Sequence, residues 1–152
     1  MTVTDRKHTI LYRLKTRPAA IVKAMELLAN GMDASAVARV ERRDERTIRR
    51  WLTRGGTHAA KLHDLFFRHL RCGFLQLDEL VTFLRGDPER VFVWTAVDAR
   101  SKLIVEMRAG RRYIEDAYAF VHCLSRRLAG GHVPIFSSDG LRHYFSALTA
   151  HR

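Results

Sequence analysis

Hydrophobic residues in the first third of the chain recur at the spacing of α-helices. A first helix is predicted to begin at Pro18, a residue that suits the first helical turn, and to end at a glycine. A second, short helix can be capped by Asp33 or Ser35. A third helix, which Asp44 can cap, covers residues 45–54 and ends at Gly55-Gly56. Three helices with a tight connection before the third are typical of a helix-turn-helix.

The third predicted helix has two different faces. Ile48, Trp51 and Leu52 stand at helical spacing and are expected to pack against the first two helices. This tryptophan-anchored spacing resembles the homeodomain-like fold found in many repressors, recombinases and transposases. The polar side and the turn before it carry the residues that we expect to bind DNA: Arg42, Arg43, Glu45, Arg46, Arg49 and Arg50. Such residues can reach base edges or phosphates. The alternative is an arginine-rich face that contacts only solvent.

A fourth helix is predicted from Thr57 to about Leu70, with an apolar stripe that includes Leu62, Leu65 and Phe66. Its three histidines are spaced by five and six residues and do not share one helical face, so we interpret them as exposed polar residues. This helix is interpreted as a link between two halves. The predicted domains are a DNA-binding domain over 1–56, a linking helix over 57–71 and a second domain over 72–152.

The hydrophobic pattern changes to that of β-strands after Gly73. The predicted strands cover residues 74–84, 91–97, 103–107 and 133–138. Short loops imply an antiparallel meander of the first three, and a helix over 112–129 precedes the fourth. A right-handed crossover then places the fourth strand parallel to the first, and Gly140 opens a last helix. The predicted fold class is α+β or α/β, with a partial ribonuclease-H-like fold behind the helix-turn-helix.

Two aspartates are the candidate catalytic and metal-binding residues. Asp78 lies in an apolar run of the first strand, and Asp139 lies at the exit of the fourth. On parallel neighbouring strands the two carboxylates would converge at one end of the sheet and repel each other unless a cation lies between them. Mg²⁺ or Mn²⁺, which prefer oxygen ligands, are the expected ions. Such carboxylates hold the ions in two-metal phosphoryl transfer.

Each aspartate also has a purely structural interpretation. Asp78 can pair with a nearby arginine, and Asp139 can cap the helix that follows it. Asp98 is a further candidate, but its Asp-Ala-Arg-Ser context is more typical of a hairpin turn. Glu79 follows Asp78 directly and therefore faces the opposite side of the strand.

The charge distribution favours a nucleic-acid-binding first half over a merely basic surface. The formal net charge is +11; residues 1–71 hold 16 Lys and Arg against 7 Asp and Glu, whereas residues 72–152 hold 11 against 9. Cys72 and Cys123 lie far apart and are interpreted as free intracellular thiols. No apolar run approaches the roughly 20 residues of a membrane span, and no secretory signal is recognisable. We expect a cytoplasmic protein without a membrane partner.

The order of several motifs is informative. They are Leu75–Leu80, Phe92–Asp98, Ser101–Val105, Tyr118–Phe120 and Ser137–Leu141 with Tyr144. Together they resemble the DDE-type insertion-sequence transposases, especially the "insertion sequence one" group, over about residues 18–152. The resemblance implies a helix-turn-helix that binds the terminal inverted repeats of the element. It also implies a ribonuclease-H-like domain that cuts and rejoins DNA with Mg²⁺, in which Asp78 is the first catalytic acid and Asp139 the second.

The sequence departs from that family in two respects. Many relatives begin with a cysteine-rich zinc-binding segment that is not present here, and residues 140–152 contain no Asp or Glu to act as the third catalytic acid. We therefore expect the front part of a longer transposase, weak or inactive as an enzyme. The alternatives are a non-enzymatic DNA-binding protein, such as a repressor, and a metal-dependent nuclease with an unrecognised acid. The sequence leaves open whether the protein forms a homodimer.

Overall fold

A computed structural model of the chain describes residues 9–83 and 88–151. The chain divides into two compact units between Leu65 and Phe66. Its helices and strands are, in order, α1 Pro18–Ala29, α2 Ala34–Val40, α3 Glu45–Phe66, β1 Phe74–Phe83, β2 Arg90–Asp98, β3 Ile104–Gly110, α4 Ile114–Arg127, β4 Ile135–Ser137 and α5 Arg142–Ala150. None of these helices is both long and apolar enough to span a membrane. The predicted loop over 85–90 falls partly outside the described residues.

The first unit packs α1, α2 and the front of α3 around a small core. The buried residues of this core are Ile21, Ala24, Val37, Ala38, Ile48 and Trp51. Pro18 begins α1, as its position predicts. Oδ1 of Asp33 accepts a hydrogen bond of 2.9 Å from the backbone N–H of Ala36 and so caps α2. Oδ1 of Asp44 accepts a hydrogen bond of 2.8 Å from the N–H of Arg46 at the start of α3. The predicted helix starts are thus confirmed.

The predicted end of the third helix is wrong. Helix α3 runs without a break through Gly55-Gly56 to Phe66, so the separate fourth helix from Thr57 does not exist. Glycine costs only about 1 kcal/mol relative to alanine inside a helix, which does not end a helix whose flanking residues continue the backbone ladder. The hydroxyl of Thr57 donates to the carbonyl of Thr53 at 2.9 Å, the behaviour of a residue inside a helix rather than of a cap.

The apolar faces predicted for this long helix are also partly wrong. Ile48 and Trp51 are buried as expected, but Leu52 is 47% exposed. Leu65 and Phe66, predicted to form an apolar stripe, are exposed as well.

The second unit contains a four-stranded mixed sheet in the order β3-β2-β1-β4. Strand β2 pairs antiparallel with both β1 and β3. Strand β4 is parallel to β1, with Phe74 opposite Ile135 and Gln76 opposite Ser137. The predicted meander and the parallel fourth strand are therefore confirmed.

One face of the sheet packs against α4 and α5. Strand β1 contributes Leu75 and Leu77 to this face, because alternate residues of a strand share a side. An aromatic cluster fills the space between sheet and helices: the rings of Trp94 and Tyr144 meet edge to face with centroids 5.3 Å apart, and Phe120 lies 6.2 Å from Trp94. This cluster packs α5 against β2 and α4.

Candidate functional site

Asp78 lies in the middle of β1, on the side of the strand away from the buried Leu75 and Leu77. Although Asp78 lies in an apolar run of the sequence, it is exposed. Its Oδ1 accepts a hydrogen bond of 2.8 Å from the backbone N–H of Glu79. The carboxylate is thus open to solvent and to a ligand.

Asp139 lies two residues beyond the last residue of β4 and is likewise exposed. Its Oδ1 accepts a hydrogen bond of 3.2 Å from the N–H of Leu141. Helix α5 begins only at Arg142, and its N-cap residue is Leu141, without a side-chain hydrogen bond. The interpretation of Asp139 as a helix cap is therefore wrong, and its side chain has no helix-capping role.

The register of the parallel strands, if extended beyond their pairing, would bring the two aspartates to the same level. The pairing of β1 with β4 ends at Gln76 opposite Ser137. Continued for two residues along each chain, this register sets Asp78 beside Asp139. Asp139 itself lies beyond the paired residues of β4.

Glu79 is the buried carboxylate of this region. Only 5% of its side chain is exposed. Its Oε1 accepts from Nε and Nη2 of Arg112 at 2.9 and 2.7 Å, and its Oε2 accepts 3.1 Å from the hydroxyl of Tyr144. A buried charge requires such partners. The arginine that could have paired with Asp78 thus pairs with Glu79 instead.

Tyr144 is held as a neutral donor. Burial, followed by the negative charge of Glu79 and the hydrogen bond to it, raises the pKa of the Tyr144 hydroxyl far above its usual range. The sequence placed Tyr144 in the last of the motifs without a role, and it placed Glu79 on the opposite side of the strand from Asp78. The alternation of β1 carried a usable signal, because Glu79 shares the face of Leu75 and Leu77 and therefore needs a partner.

The connection from β3 to α4 fixes the backbone next to Arg112. The N–H of Arg111 donates 2.9 Å to Oδ2 of Asp116, and Nε1 of Trp94 donates 3.1 Å to the carbonyl of Arg111. A Cβ at Gly110 would come within 2.5 Å of Oδ1 of Asp116, so a larger residue there would displace this carboxylate from its hydrogen bond to Arg111. Arg112 is therefore presented to Glu79 by a well-defined backbone.

The donor set at Asp78 and Asp139 suits a hard divalent ion. Within residues 9–83 and 88–151, no three His, Cys, Asp or Glu side chains are grouped closely enough to hold a metal ion. Magnesium in proteins is commonly bound by one or two carboxylates, and water and substrate phosphates complete its coordination. Two exposed carboxylates at one level fit that pattern in number and chemical type.

Asp98, the further candidate, forms the predicted hairpin turn. Its Oδ2 accepts 2.8 Å from the N–H of Ser101 and 2.6 Å from the hydroxyl of the same residue. These hydrogen bonds lower the pKa of the Asp98 carboxyl, the side-chain bond most. Its oxygens thus stabilise the turn.

Two clefts open beside β4 and α5. The one next to the Asp139 loop has a volume of about 510 Å³ and is lined by Ser137, Ser138, Arg142 and Tyr144 among others. The larger, of about 730 Å³, is lined by no Asp or Glu. Among the described residues, neither Asp139 nor Asp78 lines the smaller cleft, although Ser138 and Gly140 on either side of Asp139 do.

The predicted DNA-binding arginines lie on the surface of the first unit. The exposed members are Arg42, Arg43, Arg46, Arg49 and Arg50. Glu45 is half-buried and accepts 2.7 Å from Nε of Arg49, so these two residues pair with each other. The remaining arginines present a basic surface at the start of α3.

Arg42 adopts an uncommon backbone conformation, with φ at 50°. It stands just past α2, where the N–H of Arg43 donates to the carbonyl of Ala38 and the N–H of Arg42 to that of Arg39. The same pattern ends α1, but there the left-handed position is taken by Gly31. An arginine at a position that favours glycine stores strain beside the basic surface.

No protein-family model matches this chain, and no curated protein matches it at a significant level. Its function must therefore be argued from its own residues.

Proposed function

We propose that the chain is a transposase of the DDE type. Its first unit would bind element-end DNA as a helix-turn-helix, and its second would hold Mg²⁺ or Mn²⁺ for DNA strand cleavage and transfer. The single observation that carries the proposal is the parallel pairing of β4 with β1, whose register, extended two residues beyond Gln76 and Ser137, would set Asp139 beside Asp78. A sheet order of β3-β2-β1-β4, with only β4 parallel, is the beginning expected of a ribonuclease-H-like domain.

The chemistry follows from the exposed carboxylates. Asp78 and Asp139 would supply protein oxygens for divalent ions. In a two-metal site, such ions would supply activation of the attacking oxygen and stabilisation of the leaving oxygen of a phosphodiester. Glu79 does not supply oxygens to these ions, because both of its oxygens are engaged by Arg112 and Tyr144.

Metal binding is the sharpest test, because the described residues supply two candidate acids rather than three. We expect weak strand cleavage by the purified chain but measurable Mn²⁺ binding. Asp78→Asn should weaken Mn²⁺ binding, measured by calorimetry, and leave DNA affinity unchanged. Glu115→Gln is the matched control, since Glu115 is an exposed acid of the same unit outside the proposed site. Equal Mn²⁺ affinity in wild type and Asp78→Asn would overturn the proposal.

DNA binding by the first unit has its own test. Arg46 and Arg50 are exposed on the first turns of α3, where they are free to meet phosphates or base edges. Replacing either by alanine should weaken binding to duplex DNA and reduce the slope of log K against log salt by about one for each lost phosphate contact. Arg126→Ala, an exposed arginine of α4, should leave both quantities unchanged.

The second candidate function is a non-enzymatic DNA-binding protein, such as a repressor. The observation that favours it is the arginine surface at α3, which requires no metal. In this case the arginine variants would lose DNA affinity while Asp78→Asn and Asp139→Asn changed neither metal nor DNA binding.

A further inference from the structure

We propose that Tyr144 is a positioning residue: its hydrogen bond to Glu79 holds the Asp139 loop beside Asp78 and thereby sets the affinity of the site for a divalent cation. This inference rests on the proposed function. It assigns a role to a buried hydroxyl that the cation itself does not touch.

The hydrogen bond joins the two segments that carry the aspartates. Glu79 follows Asp78 on β1, and Tyr144 stands on α5, five residues after Asp139. The hydroxyl of Tyr144 reaches across to Oε2 of Glu79 at 3.1 Å. This polar contact therefore connects the strand of one aspartate to the helix that follows the other, in addition to the hydrophobic core that Leu77 of β1 and Ala147 of α5 share.

The Asp139 loop needs such an attachment. Its ladder pairing with β1 stops at Ser137. The bonds within the loop are local: Asp139 accepts from the N–H of Leu141, and the hydroxyl of Ser138 accepts 3.4 Å from the N–H of Gly140. Local bonds shape the loop but do not fix its distance from β1. After the loop, the hydrogen bond from the Tyr144 hydroxyl to Glu79 connects the chain to β1 again.

The Glu79 carboxylate has one oxygen available to accept a hydrogen bond from this hydroxyl. Arg112 occupies Oε1 with two N–H groups and balances the charge, which leaves Oε2 for Tyr144. Arg112 itself follows the fixed backbone at Arg111 and Gly110. Side chains that orient metal ligands through hydrogen bonds commonly tune the metal affinity of a site.

The ring and the hydroxyl of Tyr144 can be separated experimentally. The ring packs edge to face on Trp94 and lies 6.4 Å from Phe120. Tyr144→Phe keeps these contacts and removes only the hydroxyl. Tyr118→Phe is the matched control, because Tyr118 lies on α4, is 37% exposed and stacks loosely on His151.

The test measures Mn²⁺ dissociation constants of the full chain by electron paramagnetic resonance. Tyr144→Phe should raise the constant by about tenfold, the lower end of the range for residues that orient metal ligands. Tyr118→Phe should leave it within about twofold of wild type. A merely structural role would lower the thermal midpoint without changing the Mn²⁺ constant of the folded protein.

A double-mutant cycle separates positioning from a direct effect. In an Asp139→Asn background, Tyr144→Phe should change the Mn²⁺ constant no further, because the ligand that it positions is already lost. A full tenfold effect in that background would overturn the inference. If Tyr144→Phe did not fold, Glu79→Gln would replace it in the cycle. This substitution makes the acceptor of the Tyr144 hydrogen bond neutral, and it should likewise cause no further change of the Mn²⁺ constant in the Asp139→Asn background.

The failure of this inference and of the proposed function can be told apart. If wild type and Asp78→Asn bind Mn²⁺ equally, or if neither binds it, the proposed function fails and this inference with it. If Asp78→Asn loses Mn²⁺ while Tyr144→Phe binds it as wild type does, the inference alone fails.

Discussion

Nε of Arg127 lies 2.8 Å from Oε2 of Glu106, an ion pair that joins β3 to the last turn of α4. Only 15% and 9% of the two side chains are exposed. The other carboxylate oxygen of Glu106 accepts 3.0 Å from the N–H of Met107. The pair thus ties the crossover helix to the sheet that carries the candidate carboxylates.

Removing one partner of this pair should be costly. Arg127→Met leaves the charge of Glu106 largely buried without compensation and should lower the free energy of unfolding by about 3 kcal/mol. Urea denaturation of the full chain measures the change. Arg126→Met, at an exposed neighbouring position, should change it by less than about 0.5 kcal/mol. Similar losses in both variants would show that the pair has no special role.

Arg42→Gly should change stability and DNA binding in opposite directions. Glycine adopts the left-handed conformation without the penalty that Arg42 bears, so the variant should gain about 1 kcal/mol in unfolding free energy. It should also bind duplex DNA more weakly, because one cation of the basic surface is lost. Arg42→Ala is the control, with the same loss of affinity and no gain in stability. Unchanged DNA affinity in both variants would remove Arg42 from the DNA-binding surface.

Because α3 continues through Gly55-Gly56, replacing Gly56 by alanine is expected to stabilise the protein. A Cβ at Gly56 meets no atom within 4 Å, so Gly56→Ala should stabilise the chain by about 0.5–1 kcal/mol. Gly31→Ala should instead destabilise it, because Gly31 has a φ of 89°. Thermal unfolding of both variants provides the comparison. A destabilised Gly56→Ala would mean that the helix ends at this glycine after all.

The Asp98 turn predicts a dependence on pH. Hydrogen bonds from Ser101 lower the pKa of Asp98 in the folded chain below its unfolded value of about 3.9. Their contribution to stability is therefore full above that value and is lost as the pH falls through the folded pKa. Ser101→Ala should raise the pKa of Asp98, as measured by NMR titration of its carboxyl carbon. Ser125→Ala, whose hydroxyl bonds within α4, should not.

The local features of the fold could be predicted from the sequence. Helix starts at Pro18, Asp33 and Asp44 follow from side chains that act on their own backbone. The strand order follows from short loops and the handedness of crossovers. The helix starts and the strand order both depend on residues that are close in the sequence, so a sequence pattern can predict them.

The long-range contacts could not be predicted in this way. Glu79 finds Arg112 and Tyr144 at separations of 33 and 65 residues, and no periodicity identifies such partners. The end of α3 was missed because glycine is only a weak helix breaker and the backbone ladder continued through it. The exposure of Asp78 follows from which face of β1 the helices cover. That choice is made by tertiary packing.

The central claim is that one cation contacts both β1 and the loop after β4. The most direct measurement is NMR of the ¹⁵N-labelled full chain with substoichiometric Mn²⁺, whose unpaired electrons broaden nearby amide signals. We predict that signals next to Asp78 and next to Asp139 broaden together, and that Asp78→Asn or Asp139→Asn abolishes the selective broadening at both. Broadening at only one of the two aspartates, or equal broadening in the variants, would contradict the account.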